Sequence, residues 1–412
     1  MDVTTWVWAL TVAGIALMLG FDFFFHVRTA HVPTLREAAI WSSAYVGIAL
    51  AFGVGVLGLA GADYGSQYFA GYVTEKALSV DNLFVFLIIM SSFRVPREDQ
   101  QKVLLFGIVF ALVARTGFIF LGAALINTFA WVFYLFGLVL LLTAGHMLRS
   151  EGEESHSADN VVVRLARKVL PATEHYDGDK LFTVVEGKRV MTPMVLVMVA
   201  IAGTDLLFAL DSIPAIFGLT QEVYLVFTAT AFSLLGLRQL YFLIDGLLDR
   251  LIYLSYGLAA ILVFIGVKLM LHALHENNVP FINDGEPVPV VEISTAASLS
   301  VIVGVLAVTV LASLFSKRGL AHQAIGNARR HATSYLDAEY TMDAGERERI
   351  FHALVDEHDR IVALGPRFRR MMADEPALMD LLERAIASHD EAIERNEAEP
   401  VSPRLTRRGR DS

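Results

Sequence analysis

Nine long apolar stretches constrain this chain more than any other feature. They lie at about 3–21, 38–60, 68–93, 102–126, 128–148, 193–215, 221–244, 252–272 and 291–315. An apolar run of roughly 18 to 25 residues is long enough to cross a bilayer as a helix. The first run follows Met1-Asp2-Val3-Thr4-Thr5, which lacks the basic residues of a signal peptide, so it reads as a retained span. The expected fold class is therefore all-α: a polytopic membrane protein with nine transmembrane helices and a helical cytosolic tail.

Orientation follows from Lys and Arg, which collect in cytoplasmic loops. Basic residues fall in alternate connections: Arg28 and Arg36; Arg94, Arg97 and Lys102; Arg149 to Arg189 in the long loop 149–191; Arg250; and Lys317 with Arg318. The connections near 61–67, 127, 216–220 and 273–290 carry none. This alternation places the N-terminus outside and the C-terminus in the cytoplasm of a bacterial inner membrane. A membrane domain over 1–318 then precedes a polar tail, 319–412, whose Ile350, Leu354, Ile361 and Leu364 recur at helical spacing. That tail reads as a solvated helical hairpin with a disordered end after Pro400. In the loop 149–191 the pattern predicts an amphipathic helix at Val161–Leu170 and a hairpin turning at Glu186-Gly187.

Composition narrows the chemistry. The net charge of −10 argues against a nucleic-acid partner, which needs clustered basic residues. The absence of cysteine removes thiol nucleophiles, disulfides and metal–thiolate sites. No P-loop, Gly-x-Ser-x-Gly or His-Glu-x-x-His pattern occurs, so no enzyme activity and no cofactor are expected. Energy would come from an ion gradient.

The third to fifth stretches resemble the sixth to eighth. Glu75-Lys-Ala-Leu-Ser-Val-Asp81-Asn82 matches Asp205-Leu-Leu-Phe-Ala-Leu-Asp211-Ser212, with two acids six apart and a small polar residue after the second. Ala111-Leu-Val-Ala-Arg115 matches Leu234-Leu-Gly-Leu-Arg238, and Tyr134-Leu-Phe-Gly137 matches Leu254-Ser-Tyr-Gly257. The two units, 68–148 and 193–272, each hold an odd number of spans, so the second enters from the opposite face. This is the inverted repeat of secondary transporters, whose sites lie between the halves near the bilayer midplane.

Ionisable side chains in lipid cost ~2.5–3.5 kcal/mol or more each and mark function. Glu75, Asp81, Asn82, Asp205, Asp211 and Ser212, with Asp22 at the inner end of the first span, supply hard oxygen ligands. Such a set suits Mn²⁺, Ca²⁺ or Mg²⁺. Six residues along a helix rise about 9 Å and turn about 240°, so the two acids of one helix do not share a face. The simplest arrangement joins Asp81 to Asp211 across the repeat axis, with Glu75 and Asp205 lining the approaches and span 6 breaking near Pro214. Alternatively, Asp81 and Asp211 pair with Arg115 and Arg238 as structural ion pairs. In the transport reading those arginines neutralise the empty site or shape a gate.

These segments resemble the TerC family of integral membrane proteins. Beyond the acidic motifs, the resemblance rests on Leu170-Pro-Ala-Thr-Glu-His-Tyr176, Thr192-Pro193, Leu235-Gly-Leu-Arg238-Gln-Leu-Tyr-Phe242 and Tyr256-Gly-Leu-Ala-Ala-Ile-Leu-Val-Phe-Ile-Gly-Val-Lys268. It covers about residues 1–318. The resemblance implies efflux of divalent metal, chiefly Mn²⁺, in exchange for protons, with the metal held by the acidic motifs. A further Glu frequent in the family falls here on Ala202. Two other readings remain: a membrane scaffold or assembly factor docking through its tail, and a tellurite-resistance protein handling an oxyanion at Arg115 and Arg238.

Overall fold

The computed structural model describes the chain except residues 1–2, 28–32, 94, 97–98, 130, 150–175, 177, 179, 186–187, 245–252, 278, 280–281, 337–343, 365–375 and 396–412. A helix occupies every apolar stretch: α1 (Thr5–Asp22), α2 (Leu35–Ala60), α3 (Ala62–Ser92), α4 (Gln100–Thr128), α5 (Val132–Arg149), α6 (Pro193–Phe217), α7 (Val223–Leu234) with α8 (Leu237–Ile244), α9 (Leu254–His275) and α10 (Thr295–Phe315). Among the described residues, seven helices are long and apolar enough to cross a membrane, α7 and α8 counting as one. The two stretches outside that set are α5, which is short, and α3, which carries Glu75, Lys76 and Asp81 within its 31 residues. The chain is thus an all-α polytopic membrane protein.

Local chemistry starts and stops these helices. Thr34 caps α2 by accepting the Glu37 N–H at 3.2 Å. Pro193 opens α6 at a first-turn position, where its missing N–H costs nothing. The expected break at Pro214 does not occur: α6 runs unbroken to Phe217. Pro214 sits in the last turn, where only one helical bond is lost, and Ile213, Ala215, Ile216 and Phe217 are all buried around it. The break lies instead in the seventh stretch. Leu235 turns extended (φ −62°, ψ 133°) and Gly236 takes φ +78°, separating α7 from α8. An added Cβ on Gly236 would lie 2.7 Å from the Cβ of Tyr45, so both backbone and space demand glycine.

The core follows exposure to lipid. α1 presents Trp6, Leu10 and Leu17 outward, whereas every residue of α7 from Tyr224 to Leu234 is buried. α7 packs against α3, α4, α2 and α1; α4 packs on α6, and α5 on α9. The last contact is made backbone to backbone. A Cβ on Gly137 would fall 2.9 Å from the Gly266 carbonyl, and one on Gly266 3.1 Å from the Gly137 carbonyl. Small residues permit such approach between helices in lipid. Gly137→Leu is therefore expected to lower stability by about 1–3 kcal/mol through overpacking. Gly145→Leu, with nothing within 4 Å of its added Cβ, should leave the unfolding midpoint unchanged. Thermal unfolding of both variants in detergent checks this.

The long loop contains the expected hairpin: β1 (Phe182–Val185) and β2 (Lys188–Met191) pair antiparallel, with Val185 opposite Lys188. The Tyr176 hydroxyl donates to the Phe93 carbonyl at 2.9 Å, and burial near Asp99 pushes this phenol up to about 12. The helix expected at Val161–Leu170 lies outside the described residues.

The chain divides into two compact units, the second made of Leu247–Tyr253 and Thr309–Ser412. It contains α11 (Lys317–Leu336), α12 (Ala344–Leu364) and α13 (Pro376–Glu394). Ala328, Ala332, Tyr335, Phe351, Leu354, Val355 and Ala385 form one apolar cluster. His389 stacks on Phe351 at 3.6 Å and pairs with the Tyr335 hydroxyl at 3.1 Å. Asn327 and Arg360 both donate to buried Glu357, at 2.8 and 3.0 Å. The tail is thus a packed set of three described helices, not a hairpin.

Candidate functional site

Two arginines lie buried within helices, and each organises a polar cluster. Arg115, on the middle of α4, has no exposed surface. Its Nε and Nη2 donate to the two oxygens of Asp205 on α6, at 3.4 and 3.1 Å. Its Nη1 donates to Glu75 on α3 and to the Ser212 hydroxyl on α6, the latter at 3.2 Å. Glu75, Asp205 and Ser212 are each 1% exposed. The fork of one guanidinium thus binds α3, α4 and α6 together, a geometry that a lysine cannot reproduce. Asp211, half-buried one and a half turns beyond Asp205, lies in the field of the same guanidinium and of Glu75. Thr204 donates its hydroxyl to the Ala200 carbonyl at 2.7 Å, within its own helix. Ala202 is buried and leaves no carboxylate at that position.

The arrangement expected from sequence is therefore rotated. The acids joined by hydrogen bonds are Glu75 and Asp205, which occupy matching positions in the two units; they meet through Arg115 and do not flank the approaches. α3 is continuous, so Asp81 lies about 9 Å further along it and about 240° around from Glu75. Asp81 is half-buried and Asn82 buried. Among the described residues no three carboxylates or imidazoles already converge as a closed metal cage. What converges on the Arg115 guanidinium is Glu75, Asp205 and the Ser212 hydroxyl, with Asp211 six residues further along α6 than Asp205.

The second arginine does not pair with Asp211. Arg238, on the first turn of α8, donates through Nε and Nη2 to Asp22 at 3.0 and 2.7 Å. Its Nη1 donates to Gln101 at the start of α4. Tyr45 and Gln239 add hydrogen bonds to Asp22 at 3.1 and 2.7 Å. Sequence reasoning missed Gln101, Gln239 and Tyr45. The available signal was polar side chains inside or bordering apolar stretches, which must find partners once buried.

A third polar contact lies beside the helix break. Lys76 on α3 donates to the Ser233 carbonyl at 3.0 Å, and the Ser79 and Ser233 hydroxyls are 3.3 Å apart. Ser233 is in the last turn of α7, where carbonyls lack helical partners and the dipole favours a cation. Lys76 thus caps α7.

The sequence model described as the integral membrane protein TerC family matches residues 60–320. An uncharacterized membrane protein of Mycobacterium tuberculosis is 58% identical over 388 residues, covering 93% of this chain and 98% of its own. One of Myxococcus xanthus is 38% identical over 311 residues, covering 76% and 92%. An Escherichia coli K12 protein, Alx, described as a candidate membrane-bound redox modulator, is 38% identical over 315 residues, covering 74% and 93%. No solved structure matches.

Proposed function

Because the chain belongs to the TerC family of integral membrane proteins, we propose that it is an inner-membrane secondary transporter that exports a divalent cation, chiefly Mn²⁺, in exchange for protons. The observation that carries this reading is the charge set at Arg115. Glu75 and Asp205 hydrogen-bond the Arg115 guanidinium, and with Asp211 also ionised the set would carry an excess of two negative charges over that one cation. One dication or two protons neutralises that excess, which is the balance an exchanger needs. Glu75, Asp205 and Asp211, with the Ser212 hydroxyl, offer the hard oxygens that Mn²⁺ or Ca²⁺ prefers over soft metals. Arg115 fills the cation's place in the empty site and withdraws when metal arrives. Asp81 and Asn82, further along α3, supply oxygens on the path to it. An oxyanion fits poorly: the acids outnumber the guanidinium, so the cavity repels it.

The contact pattern supports nine spans folded as an inverted repeat. Exchanging α3 with α6, α4 with α7 and α5 with α9 turns the α3–α7 contact into α6–α4 and leaves α5–α9 unchanged; all three are among the strongest helix contacts. The two units meet where Gly137 and Gly266 touch, and where Glu75 and Asp205 share Arg115. Rocking of one unit against the other would expose the site to each side in turn.

A redox role, suggested by the name of the Escherichia coli relative, cannot run through thiols of this chain, which has none.

Flux in sealed vesicles tests the reading. Glu75→Gln, Asp205→Asn and Asp211→Asn are each expected to cut Mn²⁺ flux by about tenfold or more, the scale on which metal sites respond even to outer-shell losses. Asp63→Asn, exposed at the start of α3, should transport like wild type. Undiminished transport in all three site variants would end the proposal.

A further inference from the structure

Asp22 belongs by residue type with the ion ligands, yet its surroundings exclude it from them. A carboxylate has about four acceptor positions. At Asp22 the protein fills four: Oδ1 accepts from Tyr45, Arg238 and Gln239, and Oδ2 accepts from Arg238. The residue is 5% exposed. A metal at Asp22 would have to compete with four protein hydrogen bonds and a paired guanidinium.

The position of the cluster suggests what it does. Asp22 ends α1 where the helix widens into a π-helical turn, Phe23–Val27. Gln101 starts α4, and Arg238 lies on α8, near the end of its stretch. The connections beside these three points carry Arg28 and Arg36, Arg94 and Arg97, and Arg250. All three therefore lie toward the side that basic loops mark as cytoplasmic. Arg238 also sits two residues after Gly236, whose φ of +78° breaks the seventh stretch. On one side of that break α7 is fixed: it is wholly buried and Lys76 holds its last turn. On the other side is α8, of eight residues, packed on α2, α3 and α4, with the Arg238–Asp22 ion pair at its start and the Tyr241 hydroxyl donating to Gln100 at 3.2 Å. A short helix next to a glycine joint, whose polar contacts gather on Asp22, Gln100 and Gln101, can move as a unit once they part.

We propose that Asp22 and Arg238 are the cytoplasmic latch of the transporter: when they part, α8 swings about Gly236 and opens the path from the cytoplasm to Glu75 and Asp205. This rests on the transport reading above. Asp22 is then a positioning residue and not an ion ligand. Parting costs little because both charges reach water as the path floods; removing one partner strands the other in a dry site and drives the same opening.

The cysteine-free chain allows a direct test. Ser233→Cys places a single thiol at a fully buried position under the joint. Full-length protein in inside-out vesicles is treated with a membrane-impermeant maleimide, and Mn²⁺ binding to the solubilised protein is titrated separately. In this background Asp22→Asn and Arg238→Gln should each label about tenfold faster, as expected when a buried pair loses one charge. Tyr45→Phe, which removes one hydrogen bond and no charge, should label about two- to threefold faster. Mn²⁺ affinity of Asp22→Asn should stay within about threefold of wild type, since no ligand is lost. Labelling equal to the parent in all three variants overturns the latch. So does a tenfold loss of Mn²⁺ affinity in Asp22→Asn, which would make Asp22 a ligand. If Asp22→Asn and Arg238→Gln fail to fold, Tyr45→Phe decides, and parental labelling there is a refutation. Wild-type vesicles that carry no metal would instead sink the transport reading, a result that labelling does not share.

Discussion

Arg115→Gln is expected to lose about 3–5 kcal/mol of stability, because removing one partner of a buried ion pair leaves the other uncompensated. Here the loss falls on two carboxylates, Glu75 and Asp205, each 1% exposed, and it unfastens α3 from α6. Arg115→Lys should fall between wild type and Arg115→Gln, since an ammonium keeps the charge but cannot fork across both acids. Combining Arg115→Met with Glu75→Gln and Asp205→Asn should recover most of the loss, because a neutral, packed replacement avoids the desolvated charges. The unfolding midpoint of the detergent-solubilised chain, followed by tryptophan fluorescence, orders the four proteins. If Arg115→Gln melts with wild type, the guanidinium is not what joins these helices.

The second large effect belongs to Gly236. Gly236→Ala forces an L side chain into left-handed backbone, at about 1–2 kcal/mol, and drives a methyl to 2.7 Å from the Cβ of Tyr45, so a total near 2–4 kcal/mol is expected. Gly117→Ala on α4, with open space around its added Cβ, is the matched control and should be neutral or stabilising. Equal melting of the two variants would mean that the break between α7 and α8 is not a constrained turn.

Much of the fold was legible because hydropathy acts along the chain. Every apolar stretch became a helix, and the residues on either side of 186–187 paired as two antiparallel strands. What resisted was rotation and partnership. The spacing of Glu75 and Asp81 shows that they face different ways, but it does not show which one faces α6. Arg238 lies 216 positions from Asp22, and no periodicity links them. Local rules also competed with packing. Pro214 looked like a breaker, yet it fell in a final turn walled by buried neighbours. Gly236 sat among leucines and looked like one more small residue in an apolar helix. Three of the proposed ligands were recognisable as costly polar groups in lipid. The tyrosine and glutamines around Asp22 were not, because their cost depends on burial that only the assembled helices impose.

The counter-charge for the second arginine comes from outside both repeats. Asp22 and Tyr45 precede residue 60, where the family match begins. A chain started at α3 would keep each proposed metal ligand on the paired halves, yet it would leave the buried Arg238 guanidinium without its carboxylate. The leading helix, most of whose surface faces outward, is thus more than a membrane anchor. Shortening the protein from its beginning should therefore disturb the surroundings of Arg238 before it disturbs those of Arg115.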